Sequence, residues 1–301
     1  MMHTTPHFIP YKPSRLRRWF GGMIAVVVCA LVGCSETTTT SAEEDKRLGE
    51  IAFKEAASLI EAHPQRIAGV HSARVAKTLE QRLTNTKRKA TMMPFHTPQG
   101  VMVNVLYSAP EGVEPIVLFV SHFDTKVGID NFVGANDGAS TTGLLIALAN
   151  ETDWPIMCLF TDGEECVTEY CTQDGLHGSW HAAKEGIGGD LPVVVLDMLG
   201  DKDYTPALVS NASDILNMHL RAAAKKAGIT LGQEGPIIDD HVPFYAYGRR
   251  VANVIDFDFG KDNAYWHTEE DTLDKISADS LGKTAALVRY LIEELQSKET
   301  K

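Results

Sequence analysis

Apolar positions in this chain change period along its length. Between residues 43 and 83 they recur every three or four residues. Leu48, Ile51, Ala52, Ala56, Leu59 and Ile60 share one face of a helix predicted over 43–62, which Pro64 stops. Val75, Leu79 and Leu83 mark a second helix, with Ser72 placed to cap its N-terminus. Residues 91–95 and 101–107 read as a strand pair joined by a Pro-Gln-Gly turn. Beyond them the pattern alternates. Continuous apolar runs at 116–120, 156–160, 193–196 and 251–255 predict strands, and 139–149, 176–184, 213–227 and 280–295 predict helices. Strands that are apolar without interruption, separated by helices, belong to a sheet covered on both faces. The expected fold class is therefore α/β: a single domain, assigned to 44–301, with a mixed, mostly parallel central sheet flanked by helices.

The first 43 residues follow another rule. Arg15, Arg17 and Arg18 form a positive stretch, and Met23–Val32 is an apolar run. A bilayer requires about 20 apolar residues, so this run fits a secretory leader instead. It ends in Leu31-Val32-Gly33-Cys34, which resembles a bacterial lipobox. Residues 1–33 are thus expected to be a lipoprotein signal peptide, with Cys34 the lipidated residue and 34–43 a Ser/Thr-rich tether. The protein is expected to be exported to a bacterial periplasm or cell envelope and held on a membrane by the lipid at Cys34. Export also alters the cysteines. In an oxidising compartment Cys166 and Cys171 are near enough in sequence to bridge, leaving Cys158 buried; three unpaired thiols are the other reading.

Charge excludes one class of partner. The chain has 40 acidic and 28 basic residues, four of the bases lying in the leader. No basic patch follows, so no nucleic acid is expected as a partner.

Polar clusters sit where the predicted strands end. Ser121-His122-Phe-Asp124 follows the 116–120 strand, Asn136-Asp137-Gly138 opens the next helix, and Thr161-Asp-Gly-Glu164-Glu165 follows the 156–160 strand. Asp197 follows the 193–196 strand, and Asp239-Asp-His241 and Trp266-His267-Thr268 lie in loops. Taken singly, each has an ordinary role as a cap, a turn or a solvated loop. Together they converge, because open α/β sheets build sites beyond the carboxyl ends of their strands. Imidazoles and carboxylates without a thiolate are the donors of a catalytic zinc centre. Adjacent Glu164 and Glu165 permit one to hold metal and the other to move protons.

The order His122-x-Asp124, Asp137, Glu164-Glu165, Asp197, His267 resembles the zinc aminopeptidase family M28 over roughly residues 60–295. Phe132-Val-Gly-Ala-Asn-Asp137, Gln173-Asp-Gly-Leu-His-Gly-Ser179, Asp239-Asp-His-Val-Pro-Phe244 and Trp266-His267-Thr268 resemble its animal-type glutaminyl cyclase branch more narrowly. The resemblance implies a zinc exopeptidase (phosphorylase/hydrolase-like) fold, with one zinc on Asp137, Glu165 and His267. It implies Glu164 as proton shuttle and Asp197 and Asp239 as its hydrogen-bonded acidic partners. It implies Trp266 and Tyr170 as walls of the substrate pocket, Tyr170 standing where the cyclases carry Trp. In aminopeptidase members His122 and Asp197 complete a second metal site bridged by Asp137. The implied activity is conversion of N-terminal Gln of peptides to pyroglutamate with loss of ammonia, by a monomer. The alternative is a two-zinc aminopeptidase; a binding protein with dead chemistry would lack a ligand, and none is missing. Two positions depart from the cyclase pattern: His267-Thr-Glu-Glu-Asp-Thr272 resembles the aminopeptidases, and Asn253 replaces a frequent His.

If Cys34 carries lipid, Cys34→Ser should move the protein from the membrane fraction to the soluble one without changing turnover, since the tether has no catalytic residue. Equal membrane association of both forms would refute lipidation.

Overall fold

The computed structural model describes residues 40–83, 90–168 and 174–299, all within one compact unit, Thr39–Lys301. Helix α1 (Ser41–Ala62) begins earlier than the periodicity implies. Thr40 and Glu43 form a capping box, so residues 40–43 of the expected tether fold as its first turn. In α2 (Ser72–Arg82) Ser72 is the first helical residue and not the cap; His71 holds that place. The Ser72 hydroxyl turns back to accept the Gly69 N–H at 2.8 Å.

The strands are β1 (Ala90–Thr97), β2 (Gly100–Tyr107), β3 (Val117–His122), β4 (Ile156–Thr161), β5 (Val193–Asp197), β6 (Ala207–Val209), β7 (Gly232–Glu234) and β8 (Val251–Ile255). They form one sheet in the order β1-β2-β4-β3-β5-β8-β6-β7. The centre, β4-β3-β5-β8, is parallel; β1, β2 and β6 pair antiparallel at the flanks. The expected α/β class and mostly parallel sheet are thus observed. Short β6 and β7 escaped the sequence reading because three residues carry no period.

Helices α3 (Thr141–Glu151), α4 (His177–Lys184), α5 (Asp214–Ala227), α6 (His241–Ala246) and α7 (Ala278–Glu299) complete the layers. One face of the sheet carries α1, α2, α3, α5 and α7 over the larger core, built on Leu48, Leu59, Leu144, Phe160 and Leu291. The other face is covered by α4 and α6 through Ala182, Ala183 and Phe244. No described helix is long and apolar enough to cross a membrane. Cys158 is a buried thiol in β4 and in no disulfide. Cys166 is disulfide-bonded, and Cys171, its expected partner, lies outside the described residues.

Helix α1 lies against α7 at backbone distance, and Gly49 permits it. A Cβ there would stand 2.2 Å from the Ala278 carbonyl oxygen and 2.5 Å from the Gly282 nitrogen. Gly49→Ala would gain about 1 kcal/mol of helix propensity, but separating two helices costs about 1–3 kcal/mol or more in a packed interior. The substitution should therefore lower the denaturation midpoint; a raised midpoint would show that the helix contact is not tight.

Candidate metal centre

Three buried contacts fix the loops at the carboxyl ends of the parallel strands. Asp124, just past β3, is fully buried and spends its carboxylate on backbone: Glu164 N–H donates to Oδ1 at 3.1 Å and Glu165 N–H to Oδ2 at 3.2 Å. The β3 loop thereby holds the β4 loop. Asp271 does the same for the turn before α3, accepting the N–H groups of Asn136 (2.7 Å) and Asp137 (3.1 Å). Fully buried Arg66 spreads its guanidinium over the carbonyls of Phe123 (2.6 Å), Val133 (2.9 Å) and Gly134 (3.0 Å). The Asp137 turn itself requires glycine. Gly138 has φ +90°, and a Cβ there would lie 2.9 Å from the Asp124 carbonyl oxygen and 3.0 Å from His122 Cε1.

These loops bring the predicted residues together. His122 Nε2 lies 3.1 Å from Asp137 Oδ1 and 3.3 Å from Asp197 Oδ1. His267 Nε2 lies 3.3 Å from Asp137 Oδ2 and 3.2 Å from Glu165 Oε1. Asp137 thus stands between two donor groups, His122–Asp137–Asp197 and Asp137–Glu165–His267. Within them His122 Nε2, Asp137 Oδ2 and Asp197 Oδ1 are buried without a hydrogen-bond partner. Buried polar atoms left so are costly, and a cation held within these donor groups would remove the cost. The residues present therefore fit a metal ion.

His267 sits at φ +52°, a conformation that costs a residue with a Cβ energy and that the surroundings must hold. Its ring stacks on Trp266 with centroids 4.0 Å apart, and Trp266 in turn meets Phe257 edge-on at 4.9 Å. Beside these rings is a cavity of about 80 Å³ whose polar wall is Glu164, Asp197 and Asp239 and whose apolar wall includes Ile237 and Trp266. Asp239 accepts from the Asp240 N–H and, at 2.5 Å, from Asn253 Nδ2. Tyr170 and Cys34 lie outside the described residues.

Burial sets the electrostatics. It pushes Glu164 well above the usual carboxylate range, and Glu165, Asp239 and Asp240 add to the rise against His122. It lifts Asp197 to about 7 despite His122. Burial would also raise Asp137, but His122 and His267 overcome it and hold that carboxyl below its ordinary value. In His267 the reverse holds: burial lowers it, Asp137 and Glu165 overrule this, and the ring rises to about 9.

Arg66 and Asp271 were not read as part of the site. Arg66 follows a helix-ending proline and has no local signal. Asp271 stands inside the His-Thr-Glu-Glu-Asp-Thr motif, which marked it without showing its work.

The model of peptidase family M28 matches residues 104–292. The chain belongs to peptidase family M28. Among curated proteins this M28 chain is 29% identical to the glutaminyl-peptide cyclotransferase-like protein of Mus musculus, over 58% of the chain and 56% of the relative. It is 25% identical to the glutaminyl-peptide cyclotransferase of Drosophila melanogaster, over 65% and 67%. The chain thus spans a little over half the length of the mouse relative. Among solved structures it is similar to an Acidobacteriales bacterium glutaminyl cyclase, with 28% identity and TM-score 0.71 over 83% of this chain and 95% of that one. A leucine aminopeptidase precursor from Bacteroides thetaiotaomicron shares the fold, at 20% identity and TM-score 0.70 over 81% and 96%.

The cluster makes metal-free protein sensitive to base. Burial raises Asp162, Asp240 and Asp271 each to about 7, against about 3.9 unfolded. Folded protein then holds more protons than unfolded, so their stabilising contribution is full below about pH 4 and lost as pH rises through 7. His267 extends the loss to about pH 9. Melting temperature of chelator-treated protein should fall from pH 5 to 9; a rise across that window would contradict the assignment.

Proposed function

We propose that this M28 protein is a zinc-dependent glutaminyl-peptide cyclotransferase that converts the N-terminal Gln of peptides to pyroglutamate and releases ammonia. The observation that carries it is the likeness to the Acidobacteriales cyclase along nearly that whole chain, together with an intact set of donor and acid residues in one crevice. Asp137, Glu165 and His267 would hold one zinc. Bound there, zinc would act as a Lewis acid on the γ-carboxamide carbonyl.

The remaining work falls to the chain. The α-amine attacks the γ-carbonyl carbon, a nitrogen–carbon bond forms, and the bond to the amide nitrogen breaks. Glu164 takes the proton given up by the amine and returns it to the departing nitrogen, which leaves as ammonia. A carboxyl raised by burial and by neighbouring acids is suited to hold that proton between the two transfers. Asp239, fixed by Asn253 and the Asp240 amide, would hold the amide nitrogen with Asp197 as partner. Trp266 would wall a pocket that keeps the side chain folded on its own amine, where much of the rate of an intramolecular reaction originates.

A second reading has an observation of its own. His122, Asp137 and Asp197 form a second complete donor group, as a two-zinc aminopeptidase would need, with Glu164 activating water. Export through residues 1–33, a lipid at Cys34, a tether that ends where α1 begins, a catalytic domain from α1 onward and a monomeric state belong to the same proposal, as does Tyr170 as a pocket wall.

Gln-peptides and Leu-p-nitroanilide should be offered side by side. We expect ammonia and a pyroglutamyl product with the first peptide bond intact. Glu164→Gln should keep zinc and fold while losing on the order of 10²–10⁴-fold in rate. Free amino acid released without pyroglutamyl product would establish the peptidase reading instead.

A further inference from the structure

Strand β8 reads Val-Ala-Asn-Val-Ile, and its one polar residue, Asn253, is fully buried. His241, the first residue of α6, is fully buried as well. Neither lines the cavity walled by Glu164, Asp197 and Asp239, His241 lies outside both metal donor groups, and no step above uses it. Buried polar side chains are kept where they have partners, and these two are partners of each other. Asn253 Nδ2 lies 2.5 Å from Asp239 Oδ2 and 3.2 Å from His241 Nδ1.

These two contacts admit one arrangement of hydrogens. A carboxylate accepts and does not donate, so the amide turns its NH2 group, and not its oxygen, to Asp239. An amide nitrogen donates and does not accept, so His241 Nδ1 is the acceptor of the second hydrogen. Burial holds the His241 ring below its ordinary proton affinity, against the pull of Asp239 and the Asn211 backbone. The neutral ring therefore carries its proton on Nε2. The Asn253 oxygen has no hydrogen-bond partner among the described residues, so the amide takes its direction from its NH2 group alone. Turned by half a revolution, it would set its oxygen against both the Asp239 carboxylate and the bare Nδ1. The other Asp239 oxygen accepts the Asp240 N–H. The carboxylate is thus held from both sides, on one of them by an amide that His241 keeps in place.

We propose that His241 is a positioning residue for the reaction. It accepts the second hydrogen of the Asn253 amide, holds that amide with its NH2 group toward Asp239, and so aims the Asp239 carboxylate at the departing nitrogen of the substrate. The proposal rests on the function proposed above and adds to it a residue that acts from behind the cavity wall. Without the imidazole, a buried N–H is left unpaired and the amide is free to turn.

A double-substitution cycle on a Gln-peptide tests it. His241→Leu should lower kcat on the order of tenfold with KM unchanged, because a misaimed group costs rate and His241 does not meet substrate. His241→Gln keeps an acceptor in reach and should recover most of the loss. In the doubly substituted protein kcat should equal that of Asn253→Leu alone, since His241 acts only through the amide. Full kcat in His241→Leu, an equal loss in His241→Gln, or losses that multiply in the double variant overturn the proposal. Nuclear magnetic resonance of the zinc-loaded protein needs no turnover. The wild-type His241 ring should carry its proton on Nε2, and both Asn253 amide protons should show hydrogen-bonded shifts. His241→Leu should lose one of those shifts and His241→Gln should keep both. A proton on Nδ1, or both shifts intact in His241→Leu, overturns the proposal. If no Gln-peptide is turned over, the cyclase reading fails separately and these spectra decide whether His241 holds the amide. If His241→Leu does not fold, the wild-type spectrum and the kcat of His241→Gln decide it.

Discussion

The constraint on which the rest depends is an excess of buried negative charge. Asp137, Glu165 and Asp197 are all less than one-tenth exposed, and two imidazoles, His122 and His267, are their nearest partners. Desolvating carboxylates is expensive unless they are paired or bind a metal. The protein concentrates this cost at the strand ends, where loop clamps and aromatic stacking keep the acids together. The split in their proton affinities follows from the same constraint. Asp137, between both rings, stays ionised, whereas Glu164, buried and crowded by acids, keeps its proton far longer. Two adjacent environments thus separate a group suited to hold metal from one suited to move a proton.

The clamps explain how loops achieve the precision of strands. Asp124 ties the β3 loop to the β4 loop, Asp271 ties the His267 loop to the Asp137 turn, and Arg66 gathers carbonyls of the β3 loop and of the segment that enters that turn. Each is itself a buried charge spent on backbone groups. Such partners orient ligands and contribute to metal affinity although they never touch the ion.

The sheet was legible because the central strands are buried on both faces, and continuous apolar runs admit few other readings. The flanking β6 and β7 were not, being too short to show a period. The site was legible where topology helps: His122, Glu165 and Asp197 each stand at or just past the end of a parallel strand. His267 needed the family motif, since nothing in residues 256–266 announces that a loop returns to the crevice with φ +52°. Arg66 was invisible for a simpler reason. Its role is defined by three carbonyls more than fifty residues away, and a lone arginine after Pro64 reads as surface. Ser72 shows the limit of local rules, because a competing acceptor role toward Gly69 took it from the cap position.

The central claim is that the Asp137 cluster exists to hold a metal ion. Equilibrium zinc titration of chelator-treated protein, followed by competition with a chromophoric chelator, tests it most directly. The account predicts one tightly bound equivalent in the wild type and its loss in His267→Ala. Failure of the wild type to bind zinc, or undiminished binding by His267→Ala, would contradict it.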